Sequence, residues 1–201
     1  MLDRFVFPEA NPPAWAYPAE GQVFHSQAEG FSQRIVTIDD DLIWSELTLH
    51  PHAPGPPAHI HTTFAERFIV VRGEVSLLVE DETKVVRVGE EFVVEPGTVH
   101  KPFNATGEEA VVRGPNTAAY GLPRDFGVFL TQAYGFFDES PDNGRAPRAL
   151  LQMSRFSPRY DSWSAGAPVF VQRGVYWMLG PIARAMGYRS YYARFAPPGN
   201  G

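Results

Sequence analysis

Gly55-Pro56-Pro57-Ala58-His59-Ile60-His61-Thr62-Thr63-Phe64-Ala65-Glu66, running on to Gly73, carries the densest chemistry in this chain. Two histidines at i and i+2 on a strand point to the same face. Glu66 stands five residues beyond His61, an odd offset, so one unbroken strand would turn it to the other face. It rejoins the histidines if Thr62 to Ala65 interrupt the strand and Glu66 opens the next one. Gly73 then allows a hairpin reversal before Val75. A second stretch, Gly97-Thr98-Val99-His100-Lys101-Pro102-Phe103-Asn104, follows Gly89. Its Pro96-Gly97 turn delivers His100 to the start of another strand. Three imidazoles and one carboxylate, from His59, His61, Glu66 and His100, then converge as a ligand set for one divalent metal ion: Fe, Mn, Ni, Zn or Cu.

The sequence on either side of these stretches is β-rich. Arg34 to Ile38 and Leu42 to Leu49 are apolar and β-branched, separated by the turn-prone Asp39-Asp40-Asp41. Phe68 to Val71, Val75 to Val79, Val85 to Val88, Phe92 to Val94 and Ala110 to Val112 follow at short spacing, divided by Gly73, Asp81-Glu82, Gly89 and Pro96-Gly97. Many short strands so punctuated predict a sandwich or barrel over residues 22–114. Before it, residues 1–21 carry prolines at 8, 12, 13 and 18 with Trp15 and Tyr17, the pattern of an extended arm. After Pro115 the periodicity changes, and Phe126 to Phe137, Pro147 to Phe156 and Val169 to Met186 read as helices. Gly187 sits where a helix-ending glycine belongs. Residues 115–201 are therefore expected to form a helical extension packed on the barrel or on a partner subunit.

The two histidine stretches resemble the paired motifs of the cupin superfamily, G-x5-H-x-H-x3,4-E-x6-G and G-x5-P-x-G-x2-H-x3-N. From His59 to Gly73 the first is intact, although Gly55 stands four residues before His59 where the pattern has six. In the second, Gly89, Gly97, His100 and Asn104 fall in register, while Glu95 holds the proline position and Pro96 follows it. The resemblance covers about residues 34–114. It implies a mainly β fold, a jelly-roll barrel, here with an N-terminal arm and a C-terminal helical extension. By strand alternation Phe68 and Val70 share the inward face of Glu66, and Pro102 and Asn104 that of His100, so these four are expected to line an apolar pocket. The pair His50-Pro51-His52 acts as an internal control: five residues beyond His52 stands Pro57, not a carboxylate, so it reads as a surface or strand-end pair. His25, with no partner in sequence, reads as structural.

Composition sets the outer limits. The formal net charge is -6 without a basic run, which argues against nucleic acid or an anionic membrane as partner. Cysteine is absent, removing thiolate chemistry and disulfides. The most apolar segment, Val169 to Met186, is broken by Gln172, Arg173, Pro181 and Arg184, so no membrane span is expected. The first residues lack a basic-then-apolar signal, so a cytoplasmic location is expected. The aromatic tail, with the dimers common among the proteins it resembles, leads us to expect a homodimer.

Four protein ligands leave two positions open on an octahedral ion, and one carboxylate against a dication leaves about one positive charge to attract an anionic ligand. The expected partner is a small chelating molecule of enolate, catecholate or carboxylate type. Dioxygenation is the first expectation. Lewis-acid isomerase or lyase chemistry, or non-catalytic binding, are the alternatives. Glu66, if it leaves the metal, is the expected catalytic base.

Overall fold

A computed structural model describes residues 11–114, 121–139 and 147–196. The expected arm over residues 1–10, the start of the extension at 115–120, and residues 140–146 and 197–201 lie outside the described residues.

The barrel is built from two antiparallel sheets. One takes β1 (Val23–Ser26), β2 (Phe31–Ile38), β3 (Leu42–Leu49), β5 (Glu66–Arg72), β8 (Glu91–Val94), β10 (Ala110–Arg113) and β11 (Leu122–Pro123). Its order is β1-β2-β3-β10-β5-β8, with β11 also on β3. The other runs β12-β4-β9-β6-β7, from β4 (His59–Ile60), β6 (Glu74–Val79), β7 (Glu82–Arg87), β9 (His100–Phe103) and β12 (Trp163–Ser164). Sequential hairpins β2–β3 and β6–β7, with β10 returning between β3 and β5, give the jelly-roll arrangement. The fold is mainly β, as the sequence implies.

Alternation sorts the side chains. In β2, Phe31, Gln33 and Ile35 face inward, while Arg34 faces out to Glu46. In β9, His100 and Pro102 are buried and Lys101 and Phe103 are not. Two glycines are dictated by close approach. Gly55 (φ +66) sits where a Cβ would overlap the Pro102 carbonyl oxygen, and Gly73 (φ +70) where one would lie 2.6 Å from the Glu109 carbonyl oxygen. Such φ values favour glycine, and the backbones could not close so tightly around a Cβ.

Among the described residues three α-helices follow: α1 (Arg124–Asp138), α2 (Pro147–Tyr160) and α3 (Val169–Ala185). All nine residues from Phe126 to Tyr134 are buried, as expected of a helix covered on every side. α1 packs on β1, β3 and α2. Phe126, Phe129, Leu130 and Phe156 join Phe31, Ile43, Phe68 and Val70 in one apolar core, so helices and barrel share an interior. Burying each such side chain contributes about 1.5–3 kcal/mol. α3 ends as the sequence predicts: Gly187 (φ +94) bonds back to the Arg184 carbonyl at 3.0 Å and Tyr188 to that of Ala183 at 2.9 Å. No described helix is long and apolar enough to cross a membrane. In the described part of the arm a single turn, Ala14–Ala16, carries Trp15 edge-on to Tyr191, and Tyr17 donates to Asp125 at 2.7 Å.

Two strands of the extension enter the barrel sheets. β11 pairs with β3, and β12 pairs with β4, setting Trp163 opposite Ile60 and Ser164 opposite His59. The sequence reading treated this region as helices alone. Its short strands carry two residues each, too few for any periodicity to show.

Candidate metal centre

His59 lies in register with His100 across β4 and β9, which puts their ring centroids 4.3 Å apart. His61, two residues along, has its ring 4.9 Å from that of His59 and 5.4 Å from that of His100. The chain leaves strand geometry between His61 and Glu66, and β5 begins at Glu66, so the carboxylate returns to the histidine face. A ligand atom from each of the four residues lies within 4.8 Å of all the others. The two motifs are tied together, since Gly97 N–H donates to the His61 carbonyl at 2.7 Å.

The three imidazoles are held with Nδ1 turned to backbone carbonyls. His59 Nδ1 lies 2.8 Å from the Pro57 carbonyl oxygen, His61 Nδ1 2.7 Å from that of Asp161, and His100 Nδ1 3.0 Å from that of Thr98. A carbonyl only accepts, so each Nδ1 carries hydrogen and donates. Nε2 of His59 and of His61 is left to offer its lone pair to the cluster, while that of His100 meets Glu66 Oε2 at 2.8 Å and shares a proton with it. His61 Nε2 is buried and has no hydrogen-bond partner among the described residues, 3.9 Å from Glu66 Oε1. An orphaned buried nitrogen is costly unless a ligand engages it. The donor set, three nitrogens and a carboxylate, fits a divalent ion.

Charge follows the same logic. Burial, with the neighbouring imidazoles, drives His59 down to about 3. Burial also lowers His61, against the pull of Glu66. Both rings are therefore neutral donors at ordinary pH. Burial alone would raise Glu66, but its bond to His100 and the electrostatic pull of the three neighbouring imidazoles outweigh it and hold the carboxyl at about 2. Burial opposes protonation of His100 as well, yet Glu66, 2.8 Å away, raises it overall. A dication here competes with that shared proton for one ligand set.

Asp161, at the end of α2, buttresses the centre from the extension. Its backbone, at φ 52, turns the carbonyl onto His61. Its carboxylate accepts from Thr62 N–H and hydroxyl, both at 2.6 Å, from Thr63 N–H at 2.7 Å and hydroxyl at 2.8 Å, and from Trp163 Nε1 at 2.7 Å. The loop that returns Glu66 to the cluster is thus pinned by one side chain about a hundred residues away.

Residues 45–113 match the family model of the cupin domain. Over these residues the barrel is a cupin domain. Comparison with solved structures gives partial overlays. KdgF from Halomonas sp. is 22% identical, with 47% of this chain and 86% of that one covered at a TM-score of 0.40. An RmlC-like cupin from Shewanella frigidimarina is 20% identical, with 55% and 94% covered at 0.38. No curated protein matches the chain.

The cupin barrel holds a cavity of about 480 Å3, reached by His59 and Glu66. Phe68 and Pro102 are on its wall, where the sequence places them. Asn104 and Val70 are not. The Asn104 side chain is spent on the backbone, donating to the carbonyls of Leu49, His50 and Glu108 and accepting from Thr106 N–H and hydroxyl. It fastens a turn that parity alone assigned to the pocket. Val70, 1% exposed, lies in the packed core next to Phe68. His50, His52 and His25 are exposed and lie outside the cluster, so His25 faces solvent on β1 where a structural role was expected.

Much of the wall comes from residues that carry no motif. α1 contributes Phe126, Phe129, Leu130 and Tyr134, and the segment after α2 contributes Trp163. Phe126 meets the His61 ring edge-on at 5.0 Å, and Phe64 stacks on it at 4.3 Å. Glu29, in the β1–β2 turn, is a second carboxyl on the wall. Asp161 and Glu29 leave no local signal in sequence, because each acts on partners far along the chain.

Proposed function

We propose that this protein is a metal-dependent enzyme that takes a small chelating anion, of enolate, catecholate or carboxylate type, and catalyses its dioxygenation. The supporting observation is the convergence of three imidazoles and one carboxylate beside a mostly apolar cavity that His59 and Glu66 line, with every Nδ1 already committed to a carbonyl. A redox-active divalent ion held there supplies Lewis acidity and one-electron chemistry toward dioxygen. His59, His61 and His100 bind that ion as neutral donors, and Glu66 supplies the single negative charge. Phe64 and Phe126 fix the His61 ring, while Phe68, Phe126 and Phe129 keep water from the substrate's apolar body. Glu66 would be the base that accepts a proton from the substrate.

The test is oxygen uptake by the iron-loaded protein with a panel of enols, catechols and 2-oxo acids. Substrate-dependent uptake supports the reading. Turnover without oxygen consumption moves the protein to Lewis-acid isomerase or lyase chemistry. Metal-dependent binding without turnover makes it a binding module.

A further inference from the structure

Two carboxylates line the cavity, and the metal centre uses one of them. The other, Glu29, has its Oε2 buried with no hydrogen-bond partner among the described residues. Its position is fixed rather than loose. Asp138 accepts from Gln27 N–H at 3.0 Å and Ala28 N–H at 3.1 Å, Glu29 N–H donates to Ser26 Oγ at 3.3 Å, and Gly55 N–H donates to the Glu29 carbonyl at 3.1 Å.

Several other polar groups on this wall already have partners. Tyr134 donates its hydroxyl to Gln33 at 2.8 Å, and Gln33 donates its amide to Ser45 at 2.7 Å. Arg67, the lining guanidinium, pairs with Glu91. Burial, with the charge of Asp138, pushes the Glu29 carboxyl up to about 7, and Lys101 only partly offsets this. An acid in this state is kept at a cost that a hydrophobic residue would avoid. Phe31, Tyr134 and Phe137 line the same cavity, with Phe31 and Tyr134 edge-to-face at 5.0 Å. A carboxylate oxygen with no partner among the described residues, in a cavity lined by aromatic rings, is suited to an ammonium group, which donates a charge-assisted hydrogen bond to the oxygen and gains cation–π attraction from the rings.

We propose that Glu29 binds a protonated amine of the substrate, so that the pocket takes an aminated chelator, its oxygen pair at the metal centre and its ammonium at Glu29. This rests on the chelating-substrate reading above. The choice of ammonium over a neutral donor follows from the rings and from the second negative charge at Asp138.

The test is calorimetric titration of the zinc-loaded full chain with dopamine and with 4-ethylcatechol, which differ only by the amine at the end of the arm. Zinc avoids oxidation of the catechols. Dopamine should bind at least about tenfold more tightly. In Glu29→Gln that advantage should vanish while zinc content and the circular dichroism spectrum stay as in the parent. Equal affinities in the parent, or an advantage that survives in the variant, overturn the proposal and leave the chelation reading standing. Failure of both catechols to bind, or equal binding after the zinc is stripped, removes the chelation reading and this proposal with it.

Discussion

Replacing Asp161 by alanine should weaken metal binding although Asp161 offers no ligand atom. Five hydrogen bonds end on its carboxylate, from Thr62, Thr63 and Trp163. Burial works against the ionised form, but these donors outweigh it and hold the carboxyl below its usual value of 3.8. Removing the acceptor strands two backbone N–H groups and an indole N–H. Bonds to a charged group contribute about 1.5–3 kcal/mol each, but they share one acceptor and water reaches part of the site, so a loss of about 2–4 kcal/mol is the working figure. The loosened loop is the one that sets Glu66 against His61, and loss of such an outer contact lowers metal affinity about 10–100-fold. Competition against a chromophoric chelator measures the affinity, and urea unfolding measures the stability. Because the folded pKa is depressed, the stabilisation is present above pH 3.8 and is lost as pH falls through the folded value. Parent and variant should therefore converge in stability in strong acid. Unchanged affinity and unchanged stability at neutral pH would refute the assignment of Asp161 as the pin of this loop.

Three further expectations use other parts of the molecule. Glu66→Gln removes a ligand charge, so metal affinity should drop at least about tenfold. Excess metal should restore occupancy, with turnover still down about 10²-fold if Glu66 is also the base. Glu29→Gln should raise stability at pH 8 but not at pH 4. The Glu29 carboxyl sits at about 7 against 4.5 unfolded, so ionisation costs stability as pH rises between those values. After allowance for its partly exposed side chain, the gain above pH 7 is about 2 kcal/mol by chemical denaturation. Finally, α3 exposes Phe170, Trp177, Met178 and Ile182, with Met186 exposed just past its end, and we expect a homodimer to cover them. Light scattering should give twice 22.4 kDa, and a mass of 22.4 kDa at all concentrations would count against it.

The barrel and the four candidate ligands were legible because their information is local. Period-two alternation and turn residues mark strands, and two spaced motifs mark the histidines and Glu66. β1 escaped notice because Val23–Ser26 is short and interrupted by polar His25 and Ser26. β11 and β12 escaped because pairing with β3 and β4 depends on residues far along the chain. Asn104 shows the limit of parity: it falls inward by alternation, yet its amide closes a turn. The extension was readable as helices, but not as the wall of the pocket. Phe126 to Tyr134 look like an ordinary apolar helix until the cavity beside them is seen.

The central claim, that His59, His61, Glu66 and His100 hold one divalent metal ion, is tested most directly by elemental analysis of protein purified without added metal. Parent, His61→Ala and His100→Ala samples should be compared, each checked by circular dichroism for an intact β fold. The account predicts close to one transition-metal ion per chain in the parent and loss of most of it in both variants. Full occupancy in both variants, with the fold retained, would contradict it.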